Sequence, residues 1–135
     1  MKGLNEFLNE KKGTRFVGLT LDKDSHEKLI KETKEYIPKD WKIFAHHMTI
    51  SLNKGLPQNL QGDIGKTKVI KATEIGISDM AIAVKVEGYY SDKDIPHVTI
   101  AVNVDKGGKP VMSNDIKNWK KLKSSIQLSG TVEYN

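Results

Sequence analysis

The sequence predicts an α+β fold with mainly antiparallel pairing, and three observations carry that expectation. A chain of 135 residues can bury one sizeable core, while division into two units would leave both halves marginal, so residues 1–135 are expected to form a single domain. Hydrophobic content of 37% beside 29% charged residues is that of a globular protein and excludes a disordered or fibrous one. Apolar residues alternate at period two in about six segments and recur at helical spacing in two or three, with no linker between them.

Taken in order, "MKGLNEFLNEKKG" sets Leu4, Phe7 and Leu8 at helical spacing before a stop at Gly13, which predicts a short amphipathic helix. "RFVGLTLD" at 15–22 alternates Phe16, Gly18 and Thr20 with Val17, Leu19 and Leu21, the pattern of a strand. Asp22 or Asp24 can then cap a helix running to about Tyr36, with Leu29 and Ile30 facing inward and Pro38 at the exit. "AHHMTISLN" at 45–53 reads as a strand, and "GLPQNLQGDIG" at 55–65 as a loop. "KVIKATEIGIS" at 68–78 and "MAIAVKVEG" at 80–88 are separated by little more than Asp79, which predicts an antiparallel hairpin. "HVTIAVNV" at 97–104 is a further strand. Ser113 is expected to cap a helix over 114–122 with Trp119 as its core anchor, and "IQLSGTVEY" at 126–134 closes the chain as a strand.

Several function classes fall away on composition. Without cysteine there is no disulfide, no thiolate metal site and no cysteine nucleophile. The longest apolar run, "MAIAV" at 80–84, is far too short to span a bilayer, and the opening residues lack a signal-like apolar stretch, so a cytoplasmic protein without a membrane partner is expected. A net charge of +5 and a pI near 9.3 favour an anionic partner such as RNA or a nucleotide. The run "NWKKLK" at 118–123 reads as a solvated helix face, not a nucleic-acid groove.

The informative feature is an internal echo. "HMTISLN" at 47–53 and "HVTIAVN" at 97–103 share His, Thr, Ile and Asn at matching places. Because strand side chains alternate faces, His47, Thr49, Ser51 and Asn53 are expected on one face and His46, Met48, Ile50 and Leu52 on the apolar other. His97, Thr99, Ala101 and Asn103 divide from Val98, Ile100, Val102 and Val104 in the same way. His46 is therefore expected toward the core, and His26, in a charged helix, at the solvated surface.

Histidine gives and takes protons near neutral pH, and a pair flanking a reacting phosphorus can divide acid and base duties. A threonine two residues on can aim a hydroxyl at the non-bridging phosphate oxygens, where donors stabilise accumulating negative charge. Zinc held by His46, His47 and His97 is the weaker chemistry, because strand neighbours point apart and no carboxylate stands at ligand spacing; no metal and no cofactor are expected. A serine hydrolase is weaker still, since no Gly-x-Ser-x-Gly elbow occurs and "SSI" at 124–126 has no base nearby.

The paired "HMT" at 47–49 and "HVT" at 97–99 resemble the signature of the two-histidine (2H) phosphoesterases, a superfamily that includes LigT-like RNA 2′,3′-cyclic phosphodiesterases and phage enzymes that destroy cyclic nucleotide messengers. The resemblance implies a bilobal α+β fold, mainly antiparallel sheets with helices outside and a central cleft. It also implies a hydrolase: a metal-independent cyclic phosphodiesterase in RNA processing or nucleotide turnover, with His47 and His97 as the catalytic pair and Thr49 and Thr99 as phosphate clamps. A 2′,3′-cyclic phosphate is the first expectation for the substrate. Alternatives are a nuclease that degrades cyclic oligonucleotide signals and an inactive RNA- or nucleotide-binding module. Tyr89, Tyr90 and Trp41 are candidates to stack a base, Lys54 to bind phosphate with Lys93 and Lys106 as further possible neighbours, and a monomer is favoured.

Overall fold

A computed structural model describes residues 16–52 and 55–135 of the chain; the helix expected over the opening residues, as well as Asn53 and Lys54, lies outside them. Among the described residues the strands are β1 (Phe16–Leu21), β2 (Lys42–Ile43), β3 (His47–Leu52), β4 (Thr67–Ile77), β5 (Ala81–Glu87), β6 (His97–Val102) and β7 (Trp119–Tyr134), with one α-helix, α1 (Lys23–Thr33). They join in the order β2-β6-β3-β1-β7-β4-β5, and β5 returns to pair with β6. Every pairing is antiparallel, so six strands close a barrel and β2 adds a short flap to β6.

This overturns the expected architecture. Strands hold 46% of the described residues and helices 25%, most of the latter in 3-10 turns, so the fold is a small β-barrel and not a bilobal α+β arrangement with a helical outer layer. The main reason is β7. The lysine run at 118–123 and Trp119, expected on a helix capped by Ser113, instead begin a strand of 16 residues, preceded by a 3-10 segment over Pro110–Asp115. The strand's second half explains its reach: Ile126, Leu128, Gly130 and Val132 are buried at period two, the periodicity of a pleated strand. Gly130 is required there because a Cβ would stand 2.4 Å from the Thr20 carbonyl oxygen across the β1–β7 pair.

The interior is a continuous aliphatic core contributed by alternate residues of the strands: Val17, Leu19, Met48, Ile50, Ile70, Ile82, Val84, Val98, Ile100, Leu128 and Val132 are at most 1% exposed. Burial of such side chains contributes about 1.5–3 kcal/mol each before conformational entropy is counted. Leu29 of α1 is fully buried in the same core, with Ile30 packed against it. The helix starts where Asp22 accepts from the Ser25 amide at 2.8 Å and is also bonded by the Ser129 hydroxyl of β7, a cap that ties helix to barrel. The Tyr36 end expected for the helix is reached by a 3-10 turn over Lys34–Tyr36.

Candidate active site

The two His-x-Thr strands lie side by side. β3 and β6 pair at Met48↔Val98, whose side chains are both fully buried, so the flanking residues His47, Thr49, His97 and Thr99 are turned to the outer face. In an antiparallel pair centred there, His47 comes level with Thr99 and Thr49 with His97, an approximate two-fold relation. It extends outward: β1 meets β3 at Leu19↔Met48 and Thr20↔His47, as β5 meets β6 at Val84↔Val98 and Lys85↔His97.

The backbone irregularities repeat as well. On β1 the partners step from Gly18↔Thr49 to Val17↔Ser51, and on β5 from Ala83↔Thr99 to Ile82↔Ala101, so Ile50 and Ile100 are each an extra residue in a β-bulge. A bulge reverses the alternation beyond it. Ser51, expected beside Thr49, is therefore turned inward and 1% exposed, and Leu52, expected inside, faces out opposite Phe16.

His47, Thr49, His97 and Thr99 line one cavity of about 370 Å³ together with Phe16, Phe44, His46, Leu52, Lys93, Pro110, Val111 and Asn114. That volume lies toward the small end of ligand sites, about 300–1,000 Å³. The ring of His47 leans against Phe16 with centroids 4.9 Å apart. Burial pushes its imidazole below the ordinary histidine range, and the nearby rings of His46 and His97 press it further down. His97 is depressed first by burial; the Ile95 carbonyl opposes the shift and the Lys93 ammonium adds to it. Nδ1 of His97 lies 2.7 Å from that carbonyl oxygen. A carbonyl only accepts, so Nδ1 carries the proton and the neutral ring presents its lone pair on Nε2.

Thr99 has its hydroxyl 2.8 Å from that of Ser113, which is 2% exposed in the 3-10 segment that roofs this side of the cleft. Across it, the loop from β5 to β6 is pinned to β3: the Ser91 hydroxyl donates to the Thr49 carbonyl at 2.8 Å, and the Asp92 amide to the Ile50 carbonyl at 2.8 Å. This anchoring brings Lys93 to the cavity, while Lys85, level with His97, is 3.4 Å from Glu74.

The remaining candidates are dispersed. Trp41 lines a separate groove with Ile37, Pro38 and Ile43. Tyr89 donates to Asp63 at 2.8 Å, and burial foremost, with this bond, raises its phenol to about 12. Tyr90 is 43% exposed, Lys106 is also exposed, and neither borders the cavity. Lys54 lies outside the described residues. Phe16, Phe44, Leu52 and Asn114 are not singled out as site residues by the sequence, and Ser113 only as a helix cap; for Phe16 and Leu52 the signal is the position of the bulge. His46 departs from its expected core orientation: it is exposed and borders the cleft. The cause is Ala45, whose φ of 56° breaks the alternation just before β3. His26 is not simply solvated either, its Nδ1 standing 2.8 Å from the Ala45 carbonyl oxygen.

Among the described residues, no group of three or more His, Asp or Glu side chains is arranged to hold a metal ion, and no helix is long and apolar enough to cross a membrane. No family model matches the sequence, and no curated protein matches it.

Proposed function

We propose that the protein is a metal-independent phosphodiesterase acting on a nucleotide or RNA phosphodiester, with a 2′,3′-cyclic phosphate as its foremost substrate. The reading rests on four side chains and not on the fold. The single observation that carries it is the meeting of both His-x-Thr pairs in one cavity, across a strand pair whose register relates them.

The tautomer of His97 suits it to the role of base. Its Nε2 takes a proton from water as the water oxygen bonds to phosphorus; the bond from phosphorus to one ribose oxygen breaks, and protonated His47 delivers its proton to that oxygen. The Thr49 and Thr99 hydroxyls donate to the non-bridging oxygens, and Lys93 adds positive charge. Positioned acid–base groups contribute about 10²–10⁴ in rate each.

The test is product analysis on 2′,3′-cyclic nucleotides, linear RNA and cyclic dinucleotides in EDTA. Turnover is expected to persist in the chelator and to fall at least about 100-fold in His47→Ala and in His97→Ala, with nucleotide binding retained. Undiminished turnover in either variant, or activity that only an added metal restores, refutes the mechanism.

A further inference from the structure

Resting on the phosphodiesterase reading, we infer that His46, backed by His26, is the platform on which the planar base of a nucleotide substrate stacks. Neither ring belongs to the acid–base pair, yet both are fixed beside it. Ala45 is the sole non-glycine described residue with positive φ, a conformation costly for a side chain bearing a Cβ. It is fully buried and held from both sides: its amide donates to the Thr99 carbonyl at 2.8 Å, and its carbonyl accepts from the His26 ring at 2.8 Å. The consequence is that successive residues, His46 and His47, border the same cavity, as an uninterrupted strand would not permit.

The two rings of the platform are parallel, 5° apart in plane and 5.1 Å between centroids, and Phe44 meets His46 edge-on at 6.5 Å. These are preferred aromatic geometries. His26 occupies one face of His46 and its hydrogen bond to Ala45 prevents it from swinging away, while His46 remains exposed toward the cavity. Phe44 beside it and Phe16, Leu52 and Val111 elsewhere in the cavity lining are apolar, which suits a heterocycle better than a second phosphate. Partial burial, and secondarily His26, lower the proton affinity of His46. A base stacked there leaves its ribose phosphate facing His47, the next residue.

Two measurements test the inference. In the wild-type protein, adenosine 2′-monophosphate is expected to shift the imidazole carbon–proton signals of His46 upfield through the ring current of adenine, whereas ribose 5-phosphate leaves them in place. With adenosine 2′,3′-cyclic phosphate as substrate, His46→Ala is expected to raise KM about ten-fold, within the range of base–aromatic stacking, with kcat changed less than about two-fold. His46→Phe should restore KM and His46→Lys should not. Restoration by Lys alone, or equal shifts with ribose 5-phosphate, would overturn the platform in favour of an anion contact. Turnover with His46→Ala kinetically silent removes the platform and spares the acid–base reading. A base-dependent His46 shift without turnover of any substrate does the reverse.

Discussion

The hydroxyl pair formed by Thr99 and Ser113 allows binding chemistry and stability to be separated in one mutant cycle. Thr49 and Thr99 have matching places on β3 and β6, but Thr99 is 2.8 Å from Ser113, and Ser113 is 2% exposed. Thr99→Val keeps the shape of the side chain and strands the Ser113 hydroxyl in a nearly dry site, which costs about 1–3 kcal/mol. Removing both partners in Thr99→Val/Ser113→Ala abolishes the stranded group, so most of that loss should return. For 135 residues the unfolding entropy is about 0.28 kcal/mol/K. A loss of about 2 kcal/mol therefore lowers Tm by about 7 °C in Thr99→Val, and the double variant should stand within about 3 °C of wild type. Turnover should follow another pattern, falling alike in both Thr99 variants because the phosphate donor is gone from each. Thermal melts monitored by circular dichroism, run beside a cyclic-phosphate hydrolysis assay, read both quantities. Strictly additive stability losses, or a double variant that recovers activity along with stability, would refute the assignment of Thr99 to both the clamp and the Ser113 bond.

Protonation and packing supply two further expectations. Burial depresses both His47 and His97, so the bell-shaped profile of kcat/KM should centre on the acid side of the usual histidine value of about 6.5. In the same pH window the unfolded chain binds more protons than the folded one, and stability should fall as pH drops from about 6.5 toward the depressed values; a profile centred above neutrality contradicts the burial argument. On β4, a Cβ on Gly76 would lie 2.6 Å from the Trp119 ring and 2.7 Å from an Ile116 methyl. Gly76→Ala should therefore cost about 1–3 kcal/mol through overpacking, read as a lowered urea midpoint, and an unchanged midpoint would show that the Trp119 lid yields freely.

What the sequence made legible was local. Alternating or continuous apolar runs located β1, β3, β4, β5 and β6, and of the two candidate caps, Asp22 and Asp24, it is Asp22 that satisfies an orphan amide at the start of α1. The paired His-x-Thr triplets pointed to one site, and the four residues do line one cavity. Closure was not legible: whether β5 returns to β6 depends on twist and register summed round six strands, which no local pattern encodes. The lysine run of β7 reads as a helix because its early apolar residues, Trp119 and Leu122, stand three apart, and burial at period two begins only at Ile126. Trp41, Tyr89 and Tyr90 were chosen as aromatics near the cleft in sequence, but Trp41 and Tyr89 pack against the barrel core, and proximity along a loop does not predict which way a ring turns. His46 was assigned by strict alternation, which Ala45 suspends.

The paired bulges explain why the cavity has its particular division of chemistry. Had β3 and β6 continued to alternate past Thr49 and Thr99, Ser51 and Ala101 would follow them outward and the polar strip would lengthen along the barrel. Instead the extra residues, Ile50 and Ile100, turn Ser51 and Ala101 inward opposite Val17 and Ile82, and the exposed strip on each strand ends after one histidine and one threonine. Leu52 then stands exposed opposite Phe16, so on β3 an apolar group takes over where the hydroxyls stop, while Val102 and its partner Ala81 are both fully buried. The local result is a short polar strip of His47, Thr49, His97 and Thr99, bordered in the same cavity by Phe16, Leu52 and Val111. Partial burial of such a site strengthens each hydrogen bond to a developing negative charge, and the same burial lowers the proton affinity of both histidines. The irregularity that interrupts the sheet is thus what limits the polar strip to the two His-x-Thr pairs.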